Sequence, residues 1–356
     1  MLIGGRAVGP DHRPYVIAEM SGNHNRSLER ALAIVDAAAD AGADAIKLQT
    51  YTADTMTLDV DMPGFVIEQP GSLWAGRRLH DLYDEAHTPW DWHAPLMARA
   101  RERGLHCFST PFDDTAVDFL ESLDVPAYKI ASFECTDLPL IRKVAATGKP
   151  MIVSTGMATL AEIDETVRTA RAAGCRDLVL LKCTSTYPAT PENSNLRSIP
   201  VMREAFGCDV GLSDHTMGCG AAVAAVALGA VLVEKHFTLS RAEGGVDSAF
   251  SLEPAELAQL RTETERAWQA MGSARFGASV AEQGSLQFRR SVYIVQDMKA
   301  GEVLTRAHLR AIRPGFGLPP RELEALVGCT VLRDVKRGTP TSWALLQRQA
   351  DPAATH

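Results

Sequence analysis

Two histidines, His215 and His236, are the residues of this sequence best placed to bind a metal ion. Each ends a short apolar run, in the tripeptides SDH and EKH, and an Ala- and Gly-rich stretch of helical character separates the two runs. A right-handed strand–helix–strand crossover brings both strand ends to one edge of a sheet, so we expect the imidazoles to be neighbours. Two neutral imidazoles suit a divalent metal ion and leave positions for substrate or water. Alternation along the second strand places Glu234 on the face of His236, where its carboxylate is expected to orient the imidazole.

Polar side chains also follow the other predicted strands. Two of them are lysines, Lys47 and Lys129, and most of the others carry hydroxyl groups. A single Ser or Thr after a strand is usually a helix cap, but polar groups at the ends of all eight predicted strands favour a binding site. Lysines among several hydroxyls indicate a site for a phosphate or a carboxylate. The strand-end residues are Glu19, Lys47, Gln49, Ser109, Thr110, Lys129, Ser132, Ser154, Thr155, Thr184, Ser185, Ser213, His215 and His236.

The elements that position these residues are eight β-rich runs, each followed by an amphipathic helical stretch. Eight such pairs predict a closed (β/α)₈ TIM barrel of the α/β class, with an open doubly wound sheet as the alternative. In a barrel, ligand-binding residues lie at the C-terminal ends of the strands, which is where the polar residues fall. The predicted strands cover residues 15–20, 45–49, 106–109, 127–130, 150–154, 178–182, 209–213 and 232–236.

Length, charge and cysteine content exclude several classes of protein. The chain has 356 residues, 46% of them hydrophobic, which is enough for one large core and a smaller one. A net charge of −8 with both signs interspersed argues against a nucleic-acid partner. Seven scattered cysteines without a CxxC pair fit reduced thiols. The sequence lacks a long apolar run and a signal-peptide pattern, so we expect a cytoplasmic protein with no membrane partner.

The chain is expected to divide into a barrel domain over residues 1–272, a linker over 273–288 and a small β-rich domain over 289–350. Within the small domain, DMKAG at 297–301 is echoed by DVKRG at 334–338, which predicts two equivalent turns and an internal duplication. Between these turns, the stretch IRPGFG presents Arg313. The connection over 51–87 is unusually long and would lie on the binding face of a barrel, where its aromatic residues either cover a substrate or form a satellite core.

Eight motifs, in the order of the predicted strands, make the sequence similar to the sialic acid synthase family. The resemblance covers nearly the whole chain, and the C-terminal segment resembles the β-rich antifreeze-like (SAF) domain of that family. Within the family, the segments SLWAG, YDEAHTPW and SRAEGGVDSAFSLEP are most similar to the pseudaminic branch. The eight motifs are IAE with a following NH, IKLQT, FSTPF, YKIAS, STGM, CTSTYP, GLSDH and EKHFT.

The resemblance implies a reaction and its ligands. The family condenses phosphoenolpyruvate with an N-acetylated amino sugar, forms a nine-carbon α-keto acid and releases phosphate; in the pseudaminic branch the sugar is a diacetamido-trideoxy-L-altrose. By resemblance, His215 and His236 hold a divalent metal ion, manganese ahead of magnesium or cobalt, that polarises the sugar aldehyde. Glu19 would handle the proton of the attacking water, and Glu134 that of the sugar oxygen. Phosphoenolpyruvate would be bound by Lys47, Thr110, Lys129, Ser132, Ser154, Ser185 and Ser213.

The resemblance also implies contacts to the sugar and a second subunit. The residues that fall where the family contacts the sugar are Gln49, Glu134, Tyr187 and Asp247. Arg313 matches an arginine that the small domain of one subunit inserts into the barrel of its partner, which implies a domain-swapped homodimer. The chain departs from sialic acid synthases at Ser185, where they carry asparagine, and in the connection over 51–87, which supports a different sugar.

The residues by themselves leave other functions open. A Schiff-base aldolase would use Lys47, Lys129 or Lys182, all near strand ends, as its nucleophile. A carbohydrate-binding protein would bind through the small β-rich domain. Within the family, legionaminic acid and N-acetylneuraminic acid synthases are the alternatives, because no rule applied to the residues encodes the stereochemistry of the sugar.

Overall fold

The protein is described by a computed structural model that covers residues 1–69 and 71–348. The chain divides into two compact units, Met1–Gly272 and Ser273–His356. The last two residues of the predicted small domain, 349 and 350, lie outside the described residues. None of the helices in the described part of the chain has the length and apolar character needed to cross a bilayer.

The N-terminal unit is a closed barrel of eight parallel strands, which confirms the predicted barrel and excludes the open sheet. A short hairpin of β1 (Leu2–Ile3) and β2 (Arg6–Ala7) precedes it. The cylinder closes because the last barrel strand pairs in parallel with the first, up to the pair His236↔Glu19. The barrel strands are β3 (Tyr15–Glu19), β4 (Ala45–Thr50), β5 (His106–Pro111), β6 (Tyr128–Ile130), β7 (Met151–Ser154), β8 (Leu178–Cys183), β9 (Asp209–Asp214) and β10 (Leu232–His236).

Helices follow the barrel strands, as the amphipathic periodicity predicts. The first helix begins where the Ser27 hydroxyl accepts a hydrogen bond from the Arg30 amide (3.2 Å) and ends before Gly42, which has a φ of 81°. The long connection after β4 contains two short helices. The helices are α1 (Leu28–Asp40), α2 (Ala53–Met56), α3 (Leu79–Ala86), α4 (His93–Glu102), α5 (Asp114–Ser122), α6 (Leu138–Ala146), α7 (Leu160–Ala172), α8 (Ser198–Phe206), α9 (Gly220–Ala227) and α10 (Pro254–Met271).

The two ends of the barrel differ in chemistry. At the N-terminal end, the buried Asp44 carboxylate pairs with Arg6 and Arg13 and accepts a hydrogen bond from the Val16 amide (2.9 Å). This arrangement ties the strand starts together and uses both carboxylate oxygens. At the C-terminal end, many buried side chains are polar, including two lysines. The N-terminal end thus carries ion pairs that hold the fold together, and the C-terminal end carries the candidate binding residues. This division is the one expected for a barrel of this kind.

The C-terminal unit has its own small core and an internal duplication. Its two DxKxG turns meet through an antiparallel bridge between Met298 and Val335. Lys299 pairs with Asp334 at 2.8 Å, and Lys336 pairs with Asp297 at 2.9 Å. This reciprocal pairing confirms the predicted duplication. The elements of this unit are a 3₁₀ helix (Val280–Phe288), β11 (Ser291–Ile294), β12 (Leu309–Ile312), α11 (Leu323–Leu326), β13 (Thr330–Val331) and β14 (Leu346–Gln347).

Candidate active site

Two buried lysines and two buried glutamates lie together at the C-terminal end of the barrel. Lys47 Nζ is 2.6 Å from Glu19 Oε2 and 3.7 Å from Glu234 Oε2. Lys129 Nζ is 3.5 Å from the other oxygen of Glu234. Alternation along β4, β6 and β10 turns these side chains toward the barrel interior, so Glu234 bridges the two ammonium groups.

Hydroxyl groups complete this cluster. Thr110 Oγ1 lies 3.1 Å from Lys47 Nζ, Ser154 Oγ lies 2.7 Å from Lys129 Nζ, and the Ser213 hydroxyl donates to Glu234 Oε1 at 3.0 Å. Each hydroxyl comes from a different strand, and none acts as a helix cap here. The three therefore leave hydrogen-bonding capacity beside the lysines for an oxygen-rich ligand.

Other strand-end hydroxyl groups bond within the fold. The Ser109 hydroxyl bonds Thr50, Thr155 donates to Leu181 O, and Thr184 donates to Asn193 O, at 2.6, 3.0 and 3.0 Å. These three side chains are already satisfied by the protein. The convergence predicted from the sequence thus holds for part of the strand-end residues and fails for these.

Ser132 and Ser185 face each other across Gly156. The Gly156 amide donates to Ser132 Oγ at 3.1 Å, and a Cβ at position 156 would collide with both hydroxyl oxygens. The missing side chain therefore creates a small polar recess between the ends of β6, β7 and β8. Ser185, which stands where sialic acid synthases carry asparagine, lines this recess.

The charges of the cluster are unbalanced toward positive. Burial opposes ionisation of Glu234, but Lys129 and Lys47 outweigh it and hold the pKa of Glu234 below its usual value. Burial raises the pKa of Glu19 to about 7, although Lys47 acts in the opposite direction. Two ammonium groups therefore face one fully ionised carboxylate and a second, Glu19, that is only partly ionised at neutral pH, so the cluster carries a net positive charge and attracts an anion.

His215 and His236 are neighbours, as predicted, with ring centroids 5.3 Å apart. His215 Nδ1 lies 2.9 Å from Thr184 O, and His236 Nδ1 lies 3.2 Å from Ser21 Oγ. The prediction that Glu234 orients His236 is wrong, because that carboxylate is held by Ser213 and the lysines. Ser21 takes this role from a short 3₁₀ helix after β3 (Ser21–His24), at a φ of 44° that is unfavourable for a serine.

The two imidazoles have the chemistry of a metal site that is open on one side. Burial lowers the pKa of His236 well below its usual value, which favours the neutral ligand form of that imidazole; at His215, burial acts in the same direction, but the Cys183 thiol and the Thr184 carbonyl outweigh it and raise the pKa. Hydrogen bonds at both Nδ1 atoms leave the Nε2 atoms available as ligands. Over residues 1–69 and 71–348, no three His, Cys, Asp or Glu side chains converge as a metal site. A metal ion at the two imidazoles would therefore take its remaining ligands from substrate or water.

Cys183 is a site residue that the sequence analysis missed. Burial opposes ionisation of its thiol, but the adjacent His215 imidazole outweighs burial and lowers the pKa of Cys183 to about 6. The strand pattern could have identified this residue, because Cys183 ends β8 opposite Ser213 on β9.

An aromatic cluster borders the histidines. The Tyr187 ring centroid is 4.4 Å from that of His215, and the Phe250 centroid is 4.9 Å from that of His236. Trp74, from the long connection after β4, packs 5.8 Å from Tyr187 and donates from Nε1 to Val246 O at 3.0 Å. The long connection thus packs against the aromatic cluster beside the histidines, and its role in covering a substrate stays a prediction.

The remaining predicted residues lie around this centre or in the other unit. Gln49 donates to Glu19 Oε1 at 2.8 Å, and Asp247 Oδ2 lies 3.5 Å from the Gly22 amide. Burial raises the pKa of Glu134 to about 7, and its Oε2 is buried without a hydrogen-bond partner among the described residues. Arg313 belongs to the C-terminal unit, where it is exposed at the end of β12.

Comparison with known proteins identifies the family. Residues 34–276 match the NeuB family, and residues 289–347 match the SAF domain. The chain belongs to the NeuB family. The sequence is 43% identical over 328 residues to pseudaminic acid synthase of Campylobacter jejuni serotype O:2, covering 92% of this chain and 95% of that protein. Its identity to the pseudaminic acid synthase of Helicobacter pylori is 40% over 331 residues, covering 92% and 96%.

A solved structure of the same family has the same architecture. The N-acetylneuraminic acid synthetase of Leptospira borgpetersenii, determined in complex with citrate, aligns with a TM-score of 0.72 at 31% identity, covering 81% of this chain and 95% of that chain. The family and the SAF domain expected from the sequence motifs are therefore confirmed. The residue roles carried over from those motifs stay predictions for this NeuB protein.

Proposed function

We propose that this NeuB protein is a pseudaminic acid synthase. It would condense phosphoenolpyruvate with 2,4-diacetamido-2,4,6-trideoxy-L-altrose and produce pseudaminic acid and phosphate. The observation that carries the proposal is an anion-binding cluster of Lys47 and Lys129 beside two neighbouring imidazoles at the C-terminal end of a barrel. The identity of 40–43% to two pseudaminic acid synthases over more than nine tenths of the chain supports this branch of the family.

Phosphoenolpyruvate would occupy the lysine and hydroxyl cluster. Its phosphate and carboxylate groups require several donors, which the two ammonium groups and the surrounding hydroxyls supply. Ser132 and Ser185, across the recess at Gly156, would extend the same binding site. The proposed phosphoenolpyruvate ligands are Lys47, Thr110, Lys129, Ser132, Ser154, Ser185 and Ser213.

The reaction needs one proton donor and one acceptor near neutral pH. The methylene carbon of phosphoenolpyruvate would attack the aldehyde carbon of the sugar, and the aldehyde oxygen would take a proton, which we assign to Glu134. Water would then add to the former enol carbon and lose a proton to Glu19, and phosphate would leave when the C–O bond breaks. Both glutamates have a pKa near 7, so each can exchange a proton at neutral pH.

His215 and His236 would hold a divalent metal ion, with Mn²⁺ as the first candidate. When bound, such an ion acts as a Lewis acid on a carbonyl group. Gln49, Tyr187 and Asp247 would contact the sugar on the side of the aromatic cluster. The Tyr187 hydroxyl makes no hydrogen bond with the described residues and is free to bind a polar group of the sugar.

We also propose that the active form is a domain-swapped homodimer in which Arg313 reaches the partner's barrel. Phe276 and Val280 support this, because 98% and 87% of their surfaces are exposed in the single chain. A cytoplasmic location is part of the same proposal. It is supported by the cysteines, which are all free in the described part of the chain.

The test is release of phosphate from phosphoenolpyruvate with three acceptors: the diacetamido-trideoxy-L-altrose, the legionaminic acid precursor and N-acetylmannosamine. We expect turnover with the first acceptor only, loss of turnover on chelation and recovery with Mn²⁺. Turnover with another acceptor would move the protein to a sister branch. Labelling of a lysine by borohydride in the presence of pyruvate, without phosphate release, would instead identify a Schiff-base aldolase.

A further inference from the structure

A buried ion pair joins the ends of β9 and β10, next to the two histidines in sequence. Lys235 Nζ is 3.0 Å from Asp214 Oδ2, and the two side chains are 1% and 2% exposed. The two residues are opposite each other in the parallel pairing of β9 and β10. Each precedes one of the histidines in sequence, so the pair joins the strand ends that carry the two imidazoles.

The same pair fixes the turn after β9. Asp214 Oδ1 accepts hydrogen bonds from the Thr216 amide (2.9 Å) and from Thr216 Oγ1 (2.8 Å). Lys235 Nζ also donates to Thr216 O. His215, between Asp214 and Thr216, is therefore held on both sides by groups that belong to one cross-strand network.

The pair faces away from the substrates. Glu234 points into the barrel, where it meets Lys47 and Lys129, so alternation turns Lys235 toward the outer face of the strand. A buried ion pair is no more stabilising than apolar side chains of the same volume. Stability alone therefore does not explain why charged residues stand at this position. A need to fix the relative geometry of the two adjacent strand ends would explain it.

We propose that Asp214 and Lys235 are positioning residues that set the separation and orientation of the His215 and His236 imidazoles for a shared divalent ion. This inference rests on the metal ion of the proposed function. The pair lies on the outer face of β9 and β10, away from the barrel interior. It would act through the backbone next to each histidine.

The test is the double variant Asp214→Asn/Lys235→Met. Asparagine keeps the Oδ1 acceptor for Thr216, and the loss of both charges leaves no unpaired ion, so we expect a melting temperature within about 5 °C of wild type. Calorimetric titration with Mn²⁺, without substrates, should show a Kd about 10–100-fold higher than in the wild type. In the full reaction, kcat should fall while the KM for phosphoenolpyruvate stays the same.

Asp44→Asn is the matched control, because it weakens a buried ion cluster at the opposite end of the barrel. It should lower the melting temperature and leave the Kd for Mn²⁺ unchanged. Equal weakening of Mn²⁺ binding in this control, or wild-type binding in the double variant, overturns the inference. Absence of Mn²⁺ binding in the wild type overturns the proposed metal ion itself.

Thr216→Val provides a second variant if the double variant does not fold. This substitution removes the hydrogen bond from the Thr216 hydroxyl to Asp214. It adds no buried charge and keeps the side-chain volume nearly the same. We expect a several-fold rise in the Kd for Mn²⁺ with a melting temperature lowered by only a few degrees. An unchanged Kd in this variant counts against the positioning role.

Discussion

Two glutamates at the C-terminal end of the barrel share a pKa near 7 but differ in their surroundings. Glu19 is 2.6 Å from Lys47 and accepts a hydrogen bond from Gln49, so its ionised form has partners. Glu134 has a buried oxygen without a hydrogen-bond partner in the described part of the chain. Burial raises both pKa values; at Glu19 the Lys47 ammonium offsets part of this effect, whereas at Glu134 a backbone hydrogen bond and the charge of Lys129 do so.

Glu134→Gln is expected to stabilise the protein above neutral pH. Burial raises the pKa of Glu134 from 4.5 to about 7, so the folded state favours the protonated form. In the wild type, this contribution to stability is fully present below the unfolded-state pKa and is lost as the pH rises through 7. Glutamine does not titrate, so the variant should match the wild type in free energy of unfolding near pH 4 and exceed it by up to about 3 kcal/mol at pH 8. Urea unfolding at the two pH values measures this; a difference independent of pH would contradict it.

Lys129→Met should weaken phosphoenolpyruvate binding selectively. The ammonium group contacts Ser154 and Glu234 in the anion-binding cluster, and its loss removes one of the two positive charges there. A charged hydrogen bond contributes about 1.5–3 kcal/mol, so the KM for phosphoenolpyruvate should rise about 10–100-fold. The KM for the sugar should change little, because the aromatic cluster is intact.

Lys143→Met is the control for this variant, since Lys143 pairs with Asp118 on the outer helices. Its steady-state constants should equal those of the wild type. A Lys129→Met enzyme with an unchanged KM for phosphoenolpyruvate would move the anion-binding site away from this cluster.

At the scale of elements, the strands and the barrel follow from the sequence, whereas the loop contacts do not. The Val and Ile content of the eight runs and their alternation with helical stretches are local signals, and they predict the closed barrel in which β10 pairs with β3 up to His236↔Glu19. Lys47, Lys129 and the histidines could be predicted because each ends a strand. The contacts of Ser21 and Trp74 could not be predicted, because both residues lie in connections after barrel strands and reach the site only through tertiary packing.

The long connection between β4 and α4 contributes an aromatic side chain to the site. Trp74 links it to Tyr187 and to the backbone at Val246, next to Asp247. Removing the indole ring opens this side of the sugar site. Trp74→Ala should therefore raise the KM for the sugar by about 10-fold or more and leave the KM for phosphoenolpyruvate unchanged.

Leu73→Ala is the matched control, because Leu73 precedes Trp74 in the same loop and is 49% exposed. It should not change either KM. Equal KM values in the Trp74→Ala enzyme and the wild type would assign the aromatic cluster to packing alone.

At the scale of the whole molecule, the chain consists of two units with separate cores, and the proposed site draws several residues from the barrel and one from the C-terminal unit. The barrel carries the lysines, glutamates and histidines, and in the proposed dimer the C-terminal unit of the partner would contribute Arg313, which is exposed at the end of β12. A closed two-fold dimer allows each C-terminal unit to serve the other subunit's barrel. Sequence patterns predicted the two units, whereas the proposed assembly rests on the family resemblance alone, because Arg313 by itself has the features of any surface arginine on a turn.

Subunit complementation tests whether Arg313 acts across the dimer. Arg313→Ala and His215→Ala should each be nearly inactive as homodimers, the first because a guanidinium that binds the sugar is lost, at a cost of about 10-fold or more. In a mixed dimer, the Arg313→Ala chain has an intact barrel that receives Arg313 from the His215→Ala chain. Random exchange makes half of the dimers hybrids with one intact site each, so activity should recover to about a quarter of wild type. Mixing His215→Ala with His236→Ala, both barrel substitutions that remove a proposed metal ligand, should restore nothing. Recovery in neither mixture would place Arg313 and the histidines of a working site in the same chain.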